Sequence, residues 1–221
     1  YESYLADLKN YKDLFIDNFS DKHLIVLGIN NFKNKKYFNS LVVLNHKLEI
    51  LSVYNKINLV PFGEFLPLEN FLSNFGLKKI TKGYSSFSAG KDRKIIKLHN
   101  EFENKKILPL ICYEIIYSGK IKQENQYPDI AINISEDGWF GKSIGPHQHF
   151  SKAIYRSIEE GGFVVRSANK GISAFINPNG KVIKSLNTGE SGNIELNFPY
   201  FYQPTLFSKY ENKIFLLIIF L

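Results

Sequence analysis

The sequence predicts an α/β fold, on three observations. Short apolar runs typical of buried strands alternate along the chain with segments whose apolar residues recur every three or four positions. Hydrophobic residues make up 44% of the 221 residues and charged residues 22%, as in a globular chain rather than a disordered or fibrous one. This length has room for one sizeable core or at most two small ones, and no internal repeat divides it. We therefore predict one domain over residues 1–205.

The first part of the chain is predicted to contain one helix and three strands. Residues 4–19 carry apolar side chains at helical spacing, which indicates a helix with one buried face. Residues 23–29 form a short apolar run typical of a buried strand. Two further runs, residues 40–45 and 48–54, are separated by only two residues, which predicts a hairpin.

The second part alternates strands with one long helix. Strands are predicted at residues 107–112, 129–135, 163–167, 172–177 and 181–186. The last two runs flank Pro178, Asn179 and Gly180, which are turn-forming residues, so they are expected to pair as a hairpin. Residues 147–160 are predicted to be helical, with one apolar face formed by Phe150, Ala153, Ile154 and Ile158.

The last eight residues, 214–221, are all apolar. Eight residues are too few to span a bilayer, which needs about 20, and a soluble domain rarely ends on exposed apolar side chains. We interpret residues 206–221 as a juxtamembrane segment followed by the start of a truncated transmembrane helix, with Lys and Tyr residues suited to the membrane interface. A buried terminal strand is the alternative.

The net charge of +7 is concentrated in residues 78–106, which hold nine basic and three acidic residues. The plainer interpretation is a solvated lysine-rich connection, and contact with anionic lipid headgroups is the alternative. No nucleic-acid-binding motif accompanies these residues, so we expect no nucleic acid partner.

Reactive chemistry concentrates at Cys112, the only cysteine. A single cysteine excludes an internal disulfide and a cysteine-rich zinc site. Cys112 directly follows an apolar run, so it stands at the carboxyl end of a predicted strand, where α/β folds place reactive groups. A thiolate attacks carbonyl groups when a base or positive charge makes it available, and Lys and Glu can assist. Spacing alone does not select among the many Lys and Glu residues, and a buried inert cysteine is the alternative.

Other motifs in the chain do not indicate a cofactor or a metal. The glycines at 83 and 90 are too far apart for a phosphate-binding loop, and no Ser or Thr follows Lys91. His147 and His149 are two residues apart without a carboxylate or cysteine cluster, so we expect no metal site.

The chain contains four distinctive blocks, at residues 55–69 (NKINLVPFGEFLPLE), 112–115 (CYEI), 137–149 (DGWFGKSIGPHQH) and 166–174 (RSANKGISA). In these blocks and in their order, the sequence resembles the apolipoprotein N-acyltransferase family, the membrane-bound branch of the nitrilase superfamily. The segment Leu-Val-Pro-Phe-Gly-Glu in the first block is the most specific, and it separates this branch from soluble nitrilases.

The resemblance implies a nitrilase-like αββα sandwich on the periplasmic side of the bacterial inner membrane, carried by transmembrane helices and needing no cofactor. By this resemblance Cys112 is the nucleophile, Lys56 is the lysine of the catalytic triad, and Glu64 and Glu114 are supporting carboxylates. The same motifs suggest substrate-binding roles for three aromatic residues, Tyr113, Trp139 and Phe140.

The activity that the resemblance implies is acyl transfer from a phospholipid to the N-terminal α-amino group of a diacylglyceryl-cysteine apolipoprotein, through a thioester on Cys112. Two features depart from the family. The family's triad glutamate lies in a Pro-Glu motif, and this chain contains no such motif. Glu136 stands where the family usually has Asn. A soluble nitrilase-type amidase and a catalytically inactive segment therefore remain as alternatives.

Residues 65–77 are rich in apolar side chains and carry few charges. A soluble hydrolase would bury them in its core, whereas an enzyme that takes acyl chains from a bilayer needs an apolar entrance. We expect residues 65–77, named here the apolar arm, to be partly exposed, with Phe71 and Phe75 contacting the acyl substrate.

Overall fold

The computed structural model describes residues 5–68, 71, 86–98, 105–123, 126–197 and 203–219. These residues belong to two compact units, Tyr1–Asp92 and Arg93–Leu221. The extent of the domain, residues 1–205, stays a prediction.

The first unit contains a three-stranded antiparallel sheet in the order β1-β2-β3. Its strands are β1 (Ile25–Lys33), β2 (Lys36–Leu44) and β3 (Ile50–Asn55). The predicted hairpin is confirmed, because β2 and β3 pair as antiparallel neighbours. β2 is the central strand, and all five of residues 40–44 are fully buried, so both of its faces are covered.

The predicted N-terminal helix is present as two short helices, a 3-10 helix (Leu5–Tyr11) and α1 (Lys12–Asn18). The prediction of one buried face is largely wrong. Leu8 is buried against β1 and β2, but Tyr11 and Leu14 are exposed. The helical spacing of apolar residues therefore predicted more buried side chains in this segment than the structure contains.

The second unit contains a six-stranded sheet in the order β4-β5-β6-β7-β8-β9. Its strands are β4 (Ile96–Lys97), β5 (Lys106–Ile111), β6 (Ile130–Glu136), β7 (Phe163–Asn169), β8 (Ser173–Ile176) and β9 (Val182–Leu186). The three central strands, β5, β6 and β7, are parallel, and the outer pairings are antiparallel. The predicted hairpin of β8 and β9 is confirmed.

Helix α2 (Gly145–Glu160) connects β6 to β7 and packs on the sheet. Ala153 is fully buried, and Phe150 and Ile154 pack against the same core. Ile158, predicted to lie on this apolar face, is 44% exposed. The buried stripe of α2 is thus narrower than the sequence predicted, and polar side chains occupy part of the buried surface of the helix.

The chain continues into two short helices, α3 (Leu206–Tyr210) and α4 (Lys213–Ile219). The alternative of a buried terminal strand is wrong, because residues 215–219 are helical and each is more than 50% exposed. In the part of the chain that the structure describes, no helix is both long and apolar enough to cross a bilayer. The start of a transmembrane helix stays a prediction.

Candidate active site

Cys112 lies at a sharp bend between a buried strand and a 3-10 helix. β5 ends at Ile111, and the 3-10 helix begins at Cys112 and ends at Ile116. Cys112 has a φ of 50°, in the left-handed region that few residues other than glycine adopt. Such backbone strain persists only where the surrounding structure holds it, and it concentrates at functional sites. The side chain is partly exposed, as a nucleophile requires.

Glu114 holds the amino side of this bend. Its carboxylate is fully buried and accepts a hydrogen bond from the Ile111 N–H (2.9 Å) and another from Arg93 Nη2 (3.2 Å). The positive charge of Arg93 offsets the unfavourable burial of the carboxylate. Arg93 belongs to the basic run of the sequence, so this member of the run is a structural ion-pair partner and not a solvated charge.

Two side chains hold the carbonyl side of the bend. The Cys112 carbonyl oxygen lies 3.3 Å from Asn133 Nδ2 and 3.3 Å from His149 Nε2. Asn133 also donates to the Leu110 carbonyl (3.1 Å), so one amide contacts the end of β5 at two points. Because a carbonyl only accepts hydrogen bonds, His149 carries a proton on Nε2 in this arrangement.

A buried ion pair lies behind His149. Arg166 Nη2 donates to Asp137 Oδ2 (2.7 Å), while Asp137 Oδ1 contacts His149 Nδ1 (2.9 Å) and accepts from the Ser135 hydroxyl (2.7 Å). Arg166 Nη1 donates to Asn133 Oδ1. The two strands pair so that Asn133 and Arg166 are direct neighbours, which brings the guanidinium to the amide.

The charges of this cluster strongly perturb Asp137. Burial raises the pKa of Asp137, but the hydrogen bond with His149 and the charge of Arg166 outweigh it and lower the pKa from 3.8 to about 2. Burial lowers the pKa of Arg166, and the charges of Asp137 and of the Cys112 thiolate oppose that shift. Arg166 therefore lies within electrostatic reach of the cysteine.

Lys56 and Glu64 form a buried ion pair in the first unit. Lys56 is 1% exposed, and its Nζ lies 2.6 Å from Glu64 Oε2. Glu64 also accepts hydrogen bonds from the Val60 N–H (2.8 Å) and from Asn39 Nδ2 (2.7 Å). Glu64 is largely buried, with 14% of its side chain exposed, and Glu114 is fully buried.

The motif Val-Pro-Phe-Gly-Glu is a tight turn that places Glu64 opposite Lys56. The Glu64 N–H donates to the Val60 carbonyl (2.8 Å), the Phe62 N–H donates to the Phe65 carbonyl (2.7 Å), and Phe62 has a φ of 61°. Gly90 closes the other side of Lys56 by donating its N–H to the Lys56 carbonyl (2.8 Å). A Cβ at Gly90 would lie 2.2 Å from the Asn55 carbonyl oxygen, so only glycine fits there.

The predicted substrate-binding aromatics occupy different positions. The rings of Tyr113 and Phe140 lie 6.0 Å and 5.7 Å from the His149 ring, so both are close to the cysteine. Trp139 is 64% exposed on the 3-10 helix Asp137–Phe140. Phe71 is also exposed, and Phe75 lies outside the described residues.

Glu136 orders the start of the tryptophan-containing loop. One carboxylate oxygen accepts from the Gly138 N–H (2.7 Å), and the other accepts from Asn169 Nδ2 at the end of β7. The residue that departs from the family pattern therefore links the ends of two neighbouring strands.

Asn133, Asp137, His149 and Arg166 are buried polar residues for which the sequence predicts no role. Asn133 and Arg166 each interrupt an apolar strand, and a polar residue inside such a run is a signal of a buried hydrogen-bonding site. The sequence pattern around His149 suggests only a metal ligand paired with His147, which is exposed. Within the described ranges, no group of three or more His, Cys, Asp or Glu residues could hold a metal ion.

Comparisons with known proteins agree on one family. Residues 20–197, which include parts of both units, match the carbon-nitrogen hydrolase family. The chain is 40% identical over 172 residues to an apolipoprotein N-acyltransferase of Bradyrhizobium diazoefficiens, covering 78% of this chain and 32% of that protein. It is 38% identical over 207 residues to an apolipoprotein N-acyltransferase of Rickettsia prowazekii, covering 90% of this chain and 40% of that protein. The chain thus spans a third to two fifths of the length of these relatives.

Solved structures show the same fold at low sequence identity. An amidase from Nesterenkonia sp. AN1 has a TM-score of 0.58 and 13% identity, covering 98% of this chain and 75% of that one. A carbon-nitrogen hydrolase from Helicobacter pylori G27 has a TM-score of 0.60 and 15% identity, covering 84% of this chain and 67% of that one. The nitrilase-like α/β fold is therefore confirmed.

The low pKa of Asp137 predicts a pH-dependent stability. Because the folded state holds this pKa near 2, below its ordinary 3.8, the ionised carboxylate stabilises the fold above about pH 4, and this contribution is lost as the pH falls toward 2. Asp137→Asn should lower the free energy of unfolding by about 3 kcal/mol at pH 7, since Arg166 is left as an unpaired buried cation. The difference between wild type and variant should shrink by about 2 kcal/mol between pH 5 and pH 2.

Urea titrations across this pH range provide the measurement. The matched control is Asp17→Asn on the exposed surface of α1, for which we expect little change at any pH. A stability difference for Asp137→Asn that is the same at pH 2 and pH 5 would show that the carboxylate is not held ionised by its neighbours.

Proposed function

The chain belongs to the carbon-nitrogen hydrolase family, and from that premise we propose that it is the catalytic part of an apolipoprotein N-acyltransferase. The observation that carries the proposal is Cys112, held in a left-handed bend at the carboxyl end of a parallel strand. Support for the branch of the family comes from relatives of that name at 32–41% identity. The solved amidases are similar in fold only.

In the proposed first step, the Cys112 thiolate attacks the ester carbonyl of a phospholipid. A carbon–sulfur bond forms and the carbon–oxygen bond breaks, so the acyl chain stays on the enzyme as a thioester. The thiol proton passes to the departing alkoxide, which leaves as the hydroxyl of a lysophospholipid. A cysteine is suited to this step because its thiolate is a strong nucleophile.

In the second step, the α-amino group of a diacylglyceryl-cysteine apolipoprotein attacks the thioester. A carbon–nitrogen bond forms, the carbon–sulfur bond breaks, and one amine proton returns to the Cys112 sulfur. Thiolate is a good leaving group toward an amine, so the products are an N-acylated lipoprotein and the free enzyme.

Lys56 is proposed to stabilise the oxyanion of both tetrahedral intermediates. The ion pair with Glu64 supports this role, because a buried lysine beside a carboxylate is held in one orientation. Glu114 is proposed to act as a supporting carboxylate through its hydrogen bond with the Ile111 N–H. Tyr113, Trp139 and Phe140 are proposed to contact the substrate, and the exposure of Trp139 leaves it available for this.

The proposed substrates place the reaction at a bilayer. We propose that the full-length protein lies in the bacterial inner membrane with this catalytic part on the periplasmic side. The exposed apolar residues of α4 and the exposed Leu68 and Phe71 support contact with lipid. Exposed lysines of the basic run can face anionic headgroups, which attract basic residues by about 1 kcal/mol each.

Hydrolysis of a carbon–nitrogen bond is the second candidate, favoured by the name of the matching family. An amidase uses water in place of the lipoprotein amine and releases a free acid. Incubation with phospholipid and a diacylglyceryl-cysteine lipopeptide separates the two functions, because only the transferase produces an N-acylated peptide.

Cys112→Ala is expected to abolish acyl transfer, because the thioester cannot form without the sulfur. Mass spectrometry of the full-length protein incubated with phospholipid should find an acyl adduct on Cys112 in the wild type and none in the variant. An unchanged rate of transfer in Cys112→Ala would contradict the proposed nucleophile.

Lys56→Arg is expected to lower kcat about 100-fold, although the positive charge is kept. The planar guanidinium cannot reproduce the compact ammonium donor at a tight oxyanion site. Lys36→Arg, on an exposed position of β2, is the matched control and should retain wild-type turnover. Melting temperatures identify any loss that comes from unfolding, and wild-type kcat in a folded Lys56→Arg protein would contradict the role.

Replacing Phe71 and Phe75 with Ser tests the apolar arm. Of its described residues, Leu66 is buried, while Leu68 and Phe71 are 76% and 60% exposed. The double variant should lower transfer from phospholipid in vesicles while sparing a short-chain water-soluble thioester. Phe32→Ser, a similarly exposed position on β1, is the control. Equal loss on both donors would mean that the arm has no membrane role.

A further inference from the structure

Four polar side chains that no step of the proposed reaction uses form a cluster behind Cys112, and two of them contact its carbonyl oxygen. They are Asn133, Asp137, His149 and Arg166, and each is at most 4% exposed. They belong to different elements: β6, the 3-10 helix that follows it, α2 and β7. Burying this many polar groups beside one cysteine is unfavourable unless they satisfy one another.

Hydrogen bonds join these side chains and the cysteine into a closed ring. Arg166 donates to both Asn133 and Asp137, Asp137 contacts His149, and His149 and Asn133 both meet the Cys112 carbonyl oxygen. Each contact in the ring joins two polar or charged groups. Arg166 Nη1 and Nη2 are both paired within the ring, although the buried Arg166 Nε has no hydrogen-bond partner among the described residues. Because each hydrogen bond in the ring depends on the position of the next, the network resists displacement of its members.

We propose that this ring is a positioning network that holds Cys112 in its left-handed conformation, with His149 as the residue that connects the ion pair to the nucleophile. The inference rests on the proposed role of Cys112 and extends it to residues outside the chemical steps. His149 is a positioning residue, because it contacts the cysteine backbone and not its sulfur.

The two contacts to the Cys112 carbonyl oxygen explain how the left-handed backbone conformation of Cys112 is stabilised. Rotation of Cys112 toward the ordinary extended or helical region moves its carbonyl oxygen and leaves two buried donors, Asn133 Nδ2 and His149 Nε2, without this acceptor. An unsatisfied buried donor is costly, so the ring opposes the rotation. The carboxylate of Glu114 restrains the preceding residue in the same way through the Ile111 N–H.

Asp137 and Arg166 determine the orientation of His149. The ring nitrogens of His149 face Asp137 on one side and the Cys112 carbonyl on the other, so the imidazole spans the distance between them. The side chain of Asp137 is itself confined by Gly171, where a Cβ would lie 2.2 Å from Asp137 Oδ2. Loss of His149 therefore removes the link while the ion pair remains.

A misplaced sulfur affects chemistry more than binding. A displacement of about 1 Å at a reacting atom can lower a rate by about 100-fold. The effect should appear mainly in kcat, because the displaced atom is the one that reacts, and KM should stay within about threefold of the wild-type value. The Cys112 side chain is partly exposed in its left-handed conformation. A rotation that turns the sulfur inward should therefore slow its reaction with an alkylating reagent, even in the absence of any acyl substrate.

The experiment compares three variants of the full-length protein. His149→Ala removes both contacts, and His149→Gln keeps an amide N–H near the position of Nε2. His147→Ala removes an exposed histidine two residues earlier on the same helix and is the matched control. Each protein is assayed for kcat and KM with a short-chain water-soluble thioester and a lipopeptide amine. The rate of iodoacetamide alkylation is measured on the Cys112 peptide by mass spectrometry.

We expect His149→Ala to lower kcat by 10- to 100-fold with less than a threefold change in KM, and to slow alkylation of Cys112 by at least threefold. His149→Gln should recover most of both rates, and His147→Ala should match the wild type. If His149→Ala does not fold, His149→Gln is compared with Asn133→Ser instead. Asn133→Ser also removes a donor to the Cys112 carbonyl, so it should slow both turnover and alkylation, whereas His149→Gln should slow neither.

The alkylation measurement separates this inference from the proposed function. If no variant transfers acyl groups but alkylation still depends on His149, the proposed function is wrong and the positioning network stands. If the wild type transfers acyl groups and folded His149→Ala has the kcat and alkylation rate of His147→Ala, the positioning network is wrong and the proposed function stands.

Discussion

The structure around Cys112 depends on one buried cation, Arg166. A guanidinium with 1% exposure is strongly unfavourable in the interior unless carboxylate and amide oxygens surround it. Asp137 and Asn133 supply those oxygens, and each in turn determines another contact. Asp137 orients His149, and Asn133 binds the end of β5. The position of the cysteine backbone thus follows from how the fold satisfies a single charge on the neighbouring strand.

Each of the two units contains a buried cation, and the two cations are paired in different ways. In the first unit, a buried Lys56 is paired with Glu64, and a five-residue turn places the carboxylate. In the second unit, the partners of the buried charges come from separate strands and helices. A short turn needs only local residues, whereas the network around Arg166 needs the register of β6 against β7 to be correct. Displacing that register by one residue would turn Asn133 or Arg166 to the opposite face of the sheet.

Much of the fold could be predicted from the sequence because its signals are local. The two predicted hairpins follow from apolar runs separated by a few turn residues, and Cys112 follows an apolar run that forms β5. The burial of the N-terminal helices and of Ile158 was overestimated, because periodicity reports which face is apolar and not what covers it. The proposed roles of Lys56 and Glu64 required a motif, since composition alone does not distinguish these two residues from the other Lys and Glu residues.

The sequence by itself determined the fold class, the order of most strands and helices, and the single cysteine that we propose as the nucleophile. These depend on apolar spacing, turn chemistry and the single cysteine, all of which can be read along the chain. Only the tertiary structure decided the left-handed backbone of Cys112 and the ring of Asn133, Asp137, His149 and Arg166 that contacts its carbonyl. The physical reason is that these residues are separated by up to 54 positions from the cysteine, and strand register and helix packing alone bring their polar atoms within hydrogen-bonding distance.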